Sequence, residues 1–246
     1  MDKKSTAFAL IGDRYHNSDY IRTALGKTLV RELGLTIDFT DEVTLLNADN
    51  LQGYKLLILF RDAMVWPNGY GGAQPAPNIS VPPVPEVEPV VVEWMTLEQG
   101  QAVKSFVEQG GSALLYHNVT YIAARNPTFR EVLGAATEGH PPVRPFKVQI
   151  TNPYHPITQG LSDFVVTDEQ HYLVYDQAPE HLLLRSVNED GLTYQDLGTS
   201  CAAGWAYEYG QGRVCYLSPG HTIPALWNPT YVQIQQNAAR WLLREL

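Results

Sequence analysis

Three of the seven histidines in this chain follow apolar runs that have the character of buried strands. His16 lies in the loop after Ala7–Ile11, His117 directly follows Ser112–Tyr116, and His221 follows a late apolar run. Ligands bind where the carboxyl ends of parallel strands meet, so we expect these imidazoles to share a pocket. Three such side chains can hold a divalent metal such as zinc and leave one coordination position open. They can equally bind a polar substrate and move protons without a metal.

A second group of polar residues, Thr-Asp-Glu-Gln-His-Tyr, begins at Thr167. Side chains alternate along an extended segment, so Glu169 and His171 share one face, with Asp168 and Gln170 on the other. A carboxylate beside an imidazole can orient the ring, shift its pKa or act as a general base. The segment is therefore a candidate catalytic element, and a solvated edge strand is the alternative.

Candidate substrate-binding residues follow the same strands. Arg61 comes after the apolar run Leu56–Phe60, and Asn118 follows His117. Trp205 is one of several tryptophans that could stack on a sugar ring, although tryptophans more often belong to a core.

Composition and missing motifs exclude several classes of protein. The chain has 246 residues, and 17 Lys+Arg against 26 Asp+Glu give a net charge of −9, which argues against binding to nucleic acid or anionic lipid. Its sequence contains no apolar run of the roughly 20 residues that span a bilayer and no recognisable signal peptide, so we expect a cytoplasmic protein. Nucleotide-binding glycine loops and the G-x-S-x-G elbow are missing, and Gly210-Gln211-Gly212 predicts a hairpin turn. The two cysteines, Cys201 and Cys215, are assigned to packing.

Alternating strands and helices position these residues in the first half of the chain. A capping box formed by Thr96 and Gln99 opens a helix that ends at Gly110-Gly111. Apolar runs predict four strands, at Ala7–Ile11, Leu35–Phe39, Leu56–Phe60 and Ser112–Tyr116. Strands separated by helices imply right-handed crossovers, and therefore an α/β fold with a doubly wound, mainly parallel sheet.

Two parts of the chain depart from this alternation. The segment Trp66–Glu93 is rich in proline and glycine and is predicted to be a surface loop, with a lid or a dimer arm as the alternative. From about Pro145 onward the pattern favours strands, at Phe146–Ile150, Leu182–Val187, Ala203–Tyr209 and Arg213–Leu217. A final helix begins at Pro229.

The order of these motifs resembles the trehalose-utilisation (ThuA-like) family over nearly the whole chain. The resemblance is carried by Gly110–His117, His155–Thr158, Thr167–Glu169, the Trp205-to-His221 block that contains Gly210-Gln211-Gly212-Arg213-Val214, and the loop at His16. It implies a flavodoxin-like fold similar to class I glutamine amidotransferases, with His117 and Asn118 close to where their nucleophilic cysteine would stand, so amidotransferase activity is not expected. The long Trp66–Glu93 insertion and the sequence Thr199–Gly204 before the tryptophan depart from the family pattern.

The resemblance also implies a role in bacterial carbohydrate catabolism and a single domain over residues 1–246. By position, His16, His117, Glu169 and His221 would line the pocket. Our hypothesis is an isomerase, lyase or hydrolase that acts on a disaccharide, glycoside or 3-keto-sugar by acid–base chemistry. In it the catalytic residues are His117, Glu169, His171 and His221; substrate is bound by His16, Arg61, Asn118 and Trp205; and any metal, such as zinc, is held by His16, His117 and His221. The alternative is a non-catalytic carbohydrate-binding or regulatory module. In either case we expect a small carbohydrate ligand, a homo-oligomer, and no nucleic-acid or membrane partner.

Overall fold

The structure, a computed structural model, describes residues 5–67 and 90–246. Its strands are β1 (Ala7–Ile11), β2 (Ile37–Thr40), β3 (Leu56–Phe60), β4 (Met64–Val65), β5 (Val92–Glu93), β6 (Ser112–Tyr116), β7 (Ala135–Gly139), β8 (Arg144–Ile150), β9 (Phe164–Asp168), β10 (Tyr172–Tyr175), β11 (Leu182–Val187), β12 (Ser200–Tyr209) and β13 (Gly212–Leu217). Its α-helices are α1 (Ser18–Leu25), α2 (Ala48–Leu51), α3 (Leu97–Glu108), α4 (Val119–Ala123), α5 (Pro127–Leu133), α6 (Ile223–Leu226) and α7 (Pro229–Leu242). A π-helical turn, Gly26–Arg31, continues α1, and 3₁₀ turns cover Val43–Leu45 and Pro179–His181.

One nine-stranded sheet organises the described chain, in the order β2-β1-β3-β6-β13-β12-β11-β8-β9. The first five strands pair in parallel. The remaining four continue the sheet as antiparallel strands. This confirms the predicted α/β, flavodoxin-like sheet, and the strands of the second half extend it.

Helices cover both faces of the sheet because its parallel strands are apolar on both sides. On one face, the β1 residues Ala7, Ala9 and Ile11 pack in a core that also contains residues of α1 and α7. On the other face, Phe8 and Leu10 pack with residues of α3, α4 and α5. Successive side chains of β1 therefore pack alternately into two separate hydrophobic layers, one on each face of the sheet.

Several local signals in the sequence act as predicted. The capping box of Thr96 and Gln99 opens α3. Gly210 adopts a positive φ of 59° in the turn between β12 and β13, where Tyr209 pairs with Gly212, so this glycine motif is a hairpin turn. Both cysteines are buried, and neither forms a disulfide.

The sequence analysis did not predict every strand. The pair formed by β7 and β10 was missed, and it lies outside the main sheet. Residues 68–89, which make up most of the proline-rich segment, lie outside the described residues. The prediction of a surface loop, lid or dimer arm concerns these residues and stays a prediction. The described flanks of the segment, β4 and β5, pair as a short antiparallel ladder. Across residues 5–67 and 90–246, no helix combines the length and apolar character needed to cross a membrane.

A buried carboxylate fastens the antiparallel half of the fold to the parallel half. Asp168, the fully buried last residue of β9, accepts hydrogen bonds from the backbone amides of Gly220, His221 and Thr222 at 3.0 to 3.2 Å. It also accepts a hydrogen bond from the hydroxyl of Thr222 at 3.3 Å. The loop that follows β13 is thereby held against the end of β9.

We predict that Asp168→Ala destabilises the fold, because three backbone amides would lose their acceptor inside the protein. Each buried unpaired amide costs about 1 kcal/mol or more, so the free energy of unfolding should fall by about 3 kcal/mol in urea denaturation. The control is Asp176→Ala, which removes an exposed ion pair with Arg130 and should cost about 1 kcal/mol at most. Equal losses in the two variants would contradict the proposed role of Asp168.

Candidate functional site

Loops from both halves of the sheet meet at the carboxyl ends of the parallel strands. His16 follows β1, His117 follows β6, His221 follows β13, and Glu169 follows β9. The ring of His16 lies 4.9 Å from the ring of His117 and 4.9 Å from that of His221, measured between centroids. The three histidines that the sequence placed after strands therefore lie in one cluster.

His117 occupies the turn between β6 and α4 in an uncommon backbone conformation. Its φ is +48°, in the left-handed region that few non-glycine residues adopt. Its Nδ1 lies 2.7 Å from the carbonyl oxygen of Ser218, and its own carbonyl accepts a 2.7 Å hydrogen bond from the hydroxyl of Tyr216. A Cβ at Gly220 would lie 2.6 Å from the Cβ of His117, so the glycine makes room for this side chain.

Asp13 orients His16. The Nδ1 of His16 lies 3.0 Å from the carboxylate of Asp13, which also accepts a 2.6 Å hydrogen bond from the amide nitrogen of Asn118. That amide nitrogen lies 2.8 Å from Nδ1 of His16 as well. Because an ionised carboxylate can only accept, we assign the ring proton to Nδ1, and Nε2 carries a lone pair. Nε2 lies 3.0 Å from Nδ1 of His221.

One oxygen of Glu169, Oε2, is the centre of the cluster. Four imidazole nitrogens surround it: Nδ1 of His221 at 3.2 Å, Nε2 of His117 at 3.3 Å, Nε2 of His171 at 3.5 Å and Nε2 of His140 at 3.6 Å. His140 follows β7 and His171 precedes β10, so the strand pair outside the main sheet supplies two of the four rings.

Two of these four nitrogens bring no proton to the carboxylate when their rings are neutral. Backbone carbonyls accept from Nδ1 of His117 and from Nδ1 of His140, the latter from Pro141 at 3.0 Å. In neutral rings, both Nε2 atoms that face Glu169 therefore carry lone pairs. Lone pairs directed at an ionised oxygen repel it, and a cation between them would remove the repulsion.

A metal ion fits the first part of this cluster. One ligand atom each from His16, His117, Glu169 and His221 lies within 4.8 Å of the others. Tetrahedral zinc with bonds of 2.0–2.1 Å requires ligand atoms about 3.4 Å apart. The separations between ligand atoms of 3.0, 3.2 and 3.3 Å within this group are close to that value. The hydrogen bond from His16 to Asp13 is the kind that orients metal-bound histidines.

The protonation states also suit a metal. Burial opposes charge on both carboxylates, yet the ring of His16 and nearby backbone amides hold the pKa of Asp13 below its usual value, and neighbouring rings that carry a proton toward Glu169 hold the pKa of Glu169 below its usual value. Burial lowers the pKa of His16 and lowers the pKa of His171 well below the ordinary range. The pKa of His221 is instead raised, chiefly by its interaction with Glu169, so this ring would have to release a proton when a metal binds. Ionised carboxylates and neutral imidazoles are the forms that bind metal ions.

A cavity of about 310 Å³ opens beside the cluster. It is lined by Tyr15, His16, Asp62, Met64, Asn118, Tyr121, His140, Glu169, His171 and His221. Burial and the neighbouring Asp13 raise the pKa of Asp62 to about 7. The volume lies at the lower end of the range for small-molecule sites.

Two predicted binding residues lie elsewhere. Arg61 donates to the carbonyl of Asp41 and lines a neighbouring cavity. Trp205 is fully buried, and its indole nitrogen donates to the carbonyl of Leu133. A substrate-contacting role for Trp205 therefore disagrees with its placement, because no ligand in the histidine-lined cavity can reach it.

Three residues at this site were given no role from the sequence: Asp13, Asp62 and His140. The two aspartates follow β1 and β3, so the rule that finds His16 could also have found them. His140 gave no such signal, because the strand before it, Ala-Ala-Thr-Glu-Gly, lacks the apolar pattern of the others.

Solved structures share the fold of this chain. A protein from Bacteroides uniformis described as ThuA-like has 19% identity and a TM-score of 0.68, over 96% of this chain and 90% of that one. A ThuA-like protein from Parabacteroides merdae has 15% identity and a TM-score of 0.67, over 97% of this chain and 90% of that one. A β-galactosidase from Rahnella sp. R3 has 14% identity and a TM-score of 0.60, over 98% of this chain but 31% of the enzyme.

A search of curated proteins gave no match. The sequence profile of the ThuA family, described as trehalose utilisation, matches residues 85–242, which include all of the clustered residues except His16. That match, together with the ThuA-like folds, confirms the predicted family and points to carbohydrate metabolism. The chain belongs to the ThuA family.

Proposed function

We propose that this chain is a metal-assisted enzyme that acts on a keto-sugar by acid–base chemistry. The observation that carries the proposal is the arrangement at Glu169, where Nε2 of His117 and Nε2 of His140 converge on one carboxylate oxygen and, in neutral rings, would direct lone pairs at it. A divalent cation relieves that conflict, and a cavity of small-molecule size lies beside it. Membership of a family linked to trehalose utilisation favours a carbohydrate as the substrate.

In this proposal the metal is held by His16, His117, His221 and Glu169. A bound divalent ion supplies positive charge that stabilises negative charge developing on a ketone oxygen. Asp13 fixes the tautomer of His16, and the carbonyl of Ser218 does the same for His117. The chain therefore presents prearranged lone pairs, so little reorganisation is needed when the ion binds.

Asp62 is the group best suited to move the proton. A 3-keto group acidifies the neighbouring C–H, and the carboxylate of Asp62 would take that proton while the bonding electrons pass into an enolate. Returning the proton to the former ketone carbon, while the proton of the neighbouring hydroxyl passes to the ketone oxygen, completes an isomerisation. Expulsion of the oxygen substituent on the next carbon, which leaves with its bonding electrons and takes up the proton from Asp62, completes an elimination. A pKa of about 7 matches this task near neutral pH. The lowered pKa of His171 makes that ring a weaker base.

The lining of the cavity favours an enzyme over a carbohydrate-binding module. A binding module is expected to present mainly aromatic rings and amides. Here six lining residues are histidines or carboxylic acids, namely His16, Asp62, His140, Glu169, His171 and His221, whereas Tyr15, Tyr121 and Asn118 are the phenol and amide members.

We predict that a 3-keto-glucoside is converted by protein loaded with zinc, manganese or cobalt, and that turnover is lost after chelation. His117→Ala and His221→Ala should lose the ion, measured by mass spectrometry, together with turnover, followed by NMR. Asp62→Asn should retain the ion and lower kcat by about 100-fold, because it lacks the proton acceptor.

His181→Ala is the matched control for loss of a histidine, since His181 lies in a 3₁₀ turn against Tyr207, outside the cluster. Full turnover in chelated protein or in His117→Ala would disprove the metal-assisted mechanism. Calorimetric binding of the sugar with no turnover under any metal would instead favour the binding module.

Asp13→Asn gives a second prediction, for a positioning residue. Asparagine cannot accept from every donor that Asp13 now satisfies, so the tautomer of His16 is no longer fixed. We expect the Kd for zinc, measured by competition with a chelator, to rise about 10- to 100-fold. An unchanged Kd would contradict this role.

The same variant should also shift the pH profile. The negative charge of Asp13 helps to raise the pKa of Asp62, so its removal lowers that pKa. Asp62 must be ionised to accept a proton, and activity is lost as pH falls through its pKa. At saturating metal, the acid limb of kcat should therefore move to lower pH in Asp13→Asn, whereas a purely structural role for Asp13 would leave the limb in place.

A further inference from the structure

A second group of potential metal ligands shares Glu169 with the first. One ligand atom each from His140, His171 and Glu169 lies within 4.8 Å of the others. The carboxylate oxygen Oε2 lies 3.6 Å from Nε2 of His140 and 3.5 Å from Nε2 of His171. These separations are close to the value of about 3.4 Å between ligands of a tetrahedral zinc ion.

His171 is the strongest sign that this second group has a ligand of its own. The ring is 1% exposed, and both nitrogens lack a hydrogen-bond partner among the described residues. Buried polar groups are nearly always paired, because an unpaired group loses its hydration without compensation. Its Nε2 is directed to Glu169, the residue already shared with the first group.

His140 supports the same conclusion independently. Its Nδ1 donates to the carbonyl of Pro141, so Nε2, which lies toward Glu169, is the nitrogen left to bind a metal ion. Its ring stacks on the ring of His171 with centroids 4.8 Å apart and planes 6° apart. The two imidazoles are therefore stacked face to face, and both line the cavity.

One ion does not account for all of these groups. His16, His117, His221 and Glu169 already complete a four-ligand set. A single tetrahedral ion in that set would leave Nε2 of a neutral His140 directing its lone pair at Glu169 and Nε2 of His171 without a partner.

We propose that Glu169 bridges two divalent metal ions, the second of which is held by His140 and His171. This inference rests on the proposed function for its first ion and adds a binuclear centre to it. With three protein ligands, the second ion keeps an open position toward the cavity. A binuclear centre suits a substrate with two adjacent oxygens, such as the ketone and neighbouring hydroxyl of a keto-sugar.

The test is metal stoichiometry rather than activity. The metal-free full-length chain is titrated with Zn²⁺ by calorimetry, and with Co²⁺ by visible absorption and electron paramagnetic resonance. We expect two equivalents in the wild type, and loss of the signal of the first cobalt ion when the second binds, because a bridging carboxylate couples them. His140→Ala should bind one equivalent and keep the uncoupled signal.

His171→Ala removes the other ligand and should also bind one equivalent. The partly exposed His140 keeps the test valid if the variant at the buried His171 does not fold. His181→Ala should bind two equivalents, as the wild type does.

One equivalent in both wild type and His140→Ala would overturn the binuclear centre and leave the proposed function intact. Two equivalents in His140→Ala would place the second ion elsewhere and also overturn the inference. No binding in the wild type would overturn the inference and the proposed function together.

Discussion

The site depends on an imbalance between lone pairs and protons at one carboxylate. Glu169 receives four imidazole nitrogens, and the protons of two of those rings are already committed to backbone carbonyls at Ser218 and Pro141. An ionised carboxylate oxygen accepts hydrogen bonds from N–H groups, but it is repelled by the lone pair of an unprotonated ring nitrogen. Two of the four contacts are therefore unfavourable while those rings are neutral, and the rest of the fold has to keep these groups together.

Two unlike halves of the sheet supply the opposing groups. The parallel strands deliver His16, His117 and His221, because their carboxyl ends share an edge. The antiparallel extension delivers Glu169, and the separate β7–β10 pair delivers two more rings. Asp168 joins these halves. It precedes Glu169 in the chain, and its carboxylate accepts hydrogen bonds from the backbone of the loop that carries His221. A fold with the same strands but without that link would not fix the distance between acid and imidazole.

The sequence was sufficient to predict the parallel half of the fold and the histidines attached to it. Runs such as Ala7–Ile11 are apolar on both faces, which only a central strand explains, and the residue that follows such a strand is placed by topology alone. Glu169 and His171, which alternation placed on one face, do lie close together, but they stand in the segment between β9 and β10 and not in a strand. Trp205 shows where this reasoning fails, because its place in β12 does not say what covers it, and Leu133, Tyr175 and Tyr216 surround it. His140 was missed for a related reason: β7 pairs outside the main sheet, and that pairing is decided by tertiary packing.

Asp13 contacts two residues that have different roles in the proposed chemistry, the metal ligand His16 and the base Asp62. Its buried carboxylate accepts from the ring of His16 and from the backbone amide of Asp62, so it touches both a metal ligand and the proposed base. Its charge favours the tautomer of His16 that binds a metal, and the same charge makes Asp62 harder to ionise. One negative charge thus strengthens the ligand and tunes the base. With that charge farther away, the preference of His16 for its metal-binding tautomer would weaken, and the contribution of Asp13 to the raised pKa of Asp62 would be lost. Both effects therefore depend on the position of Asp13 between the two residues.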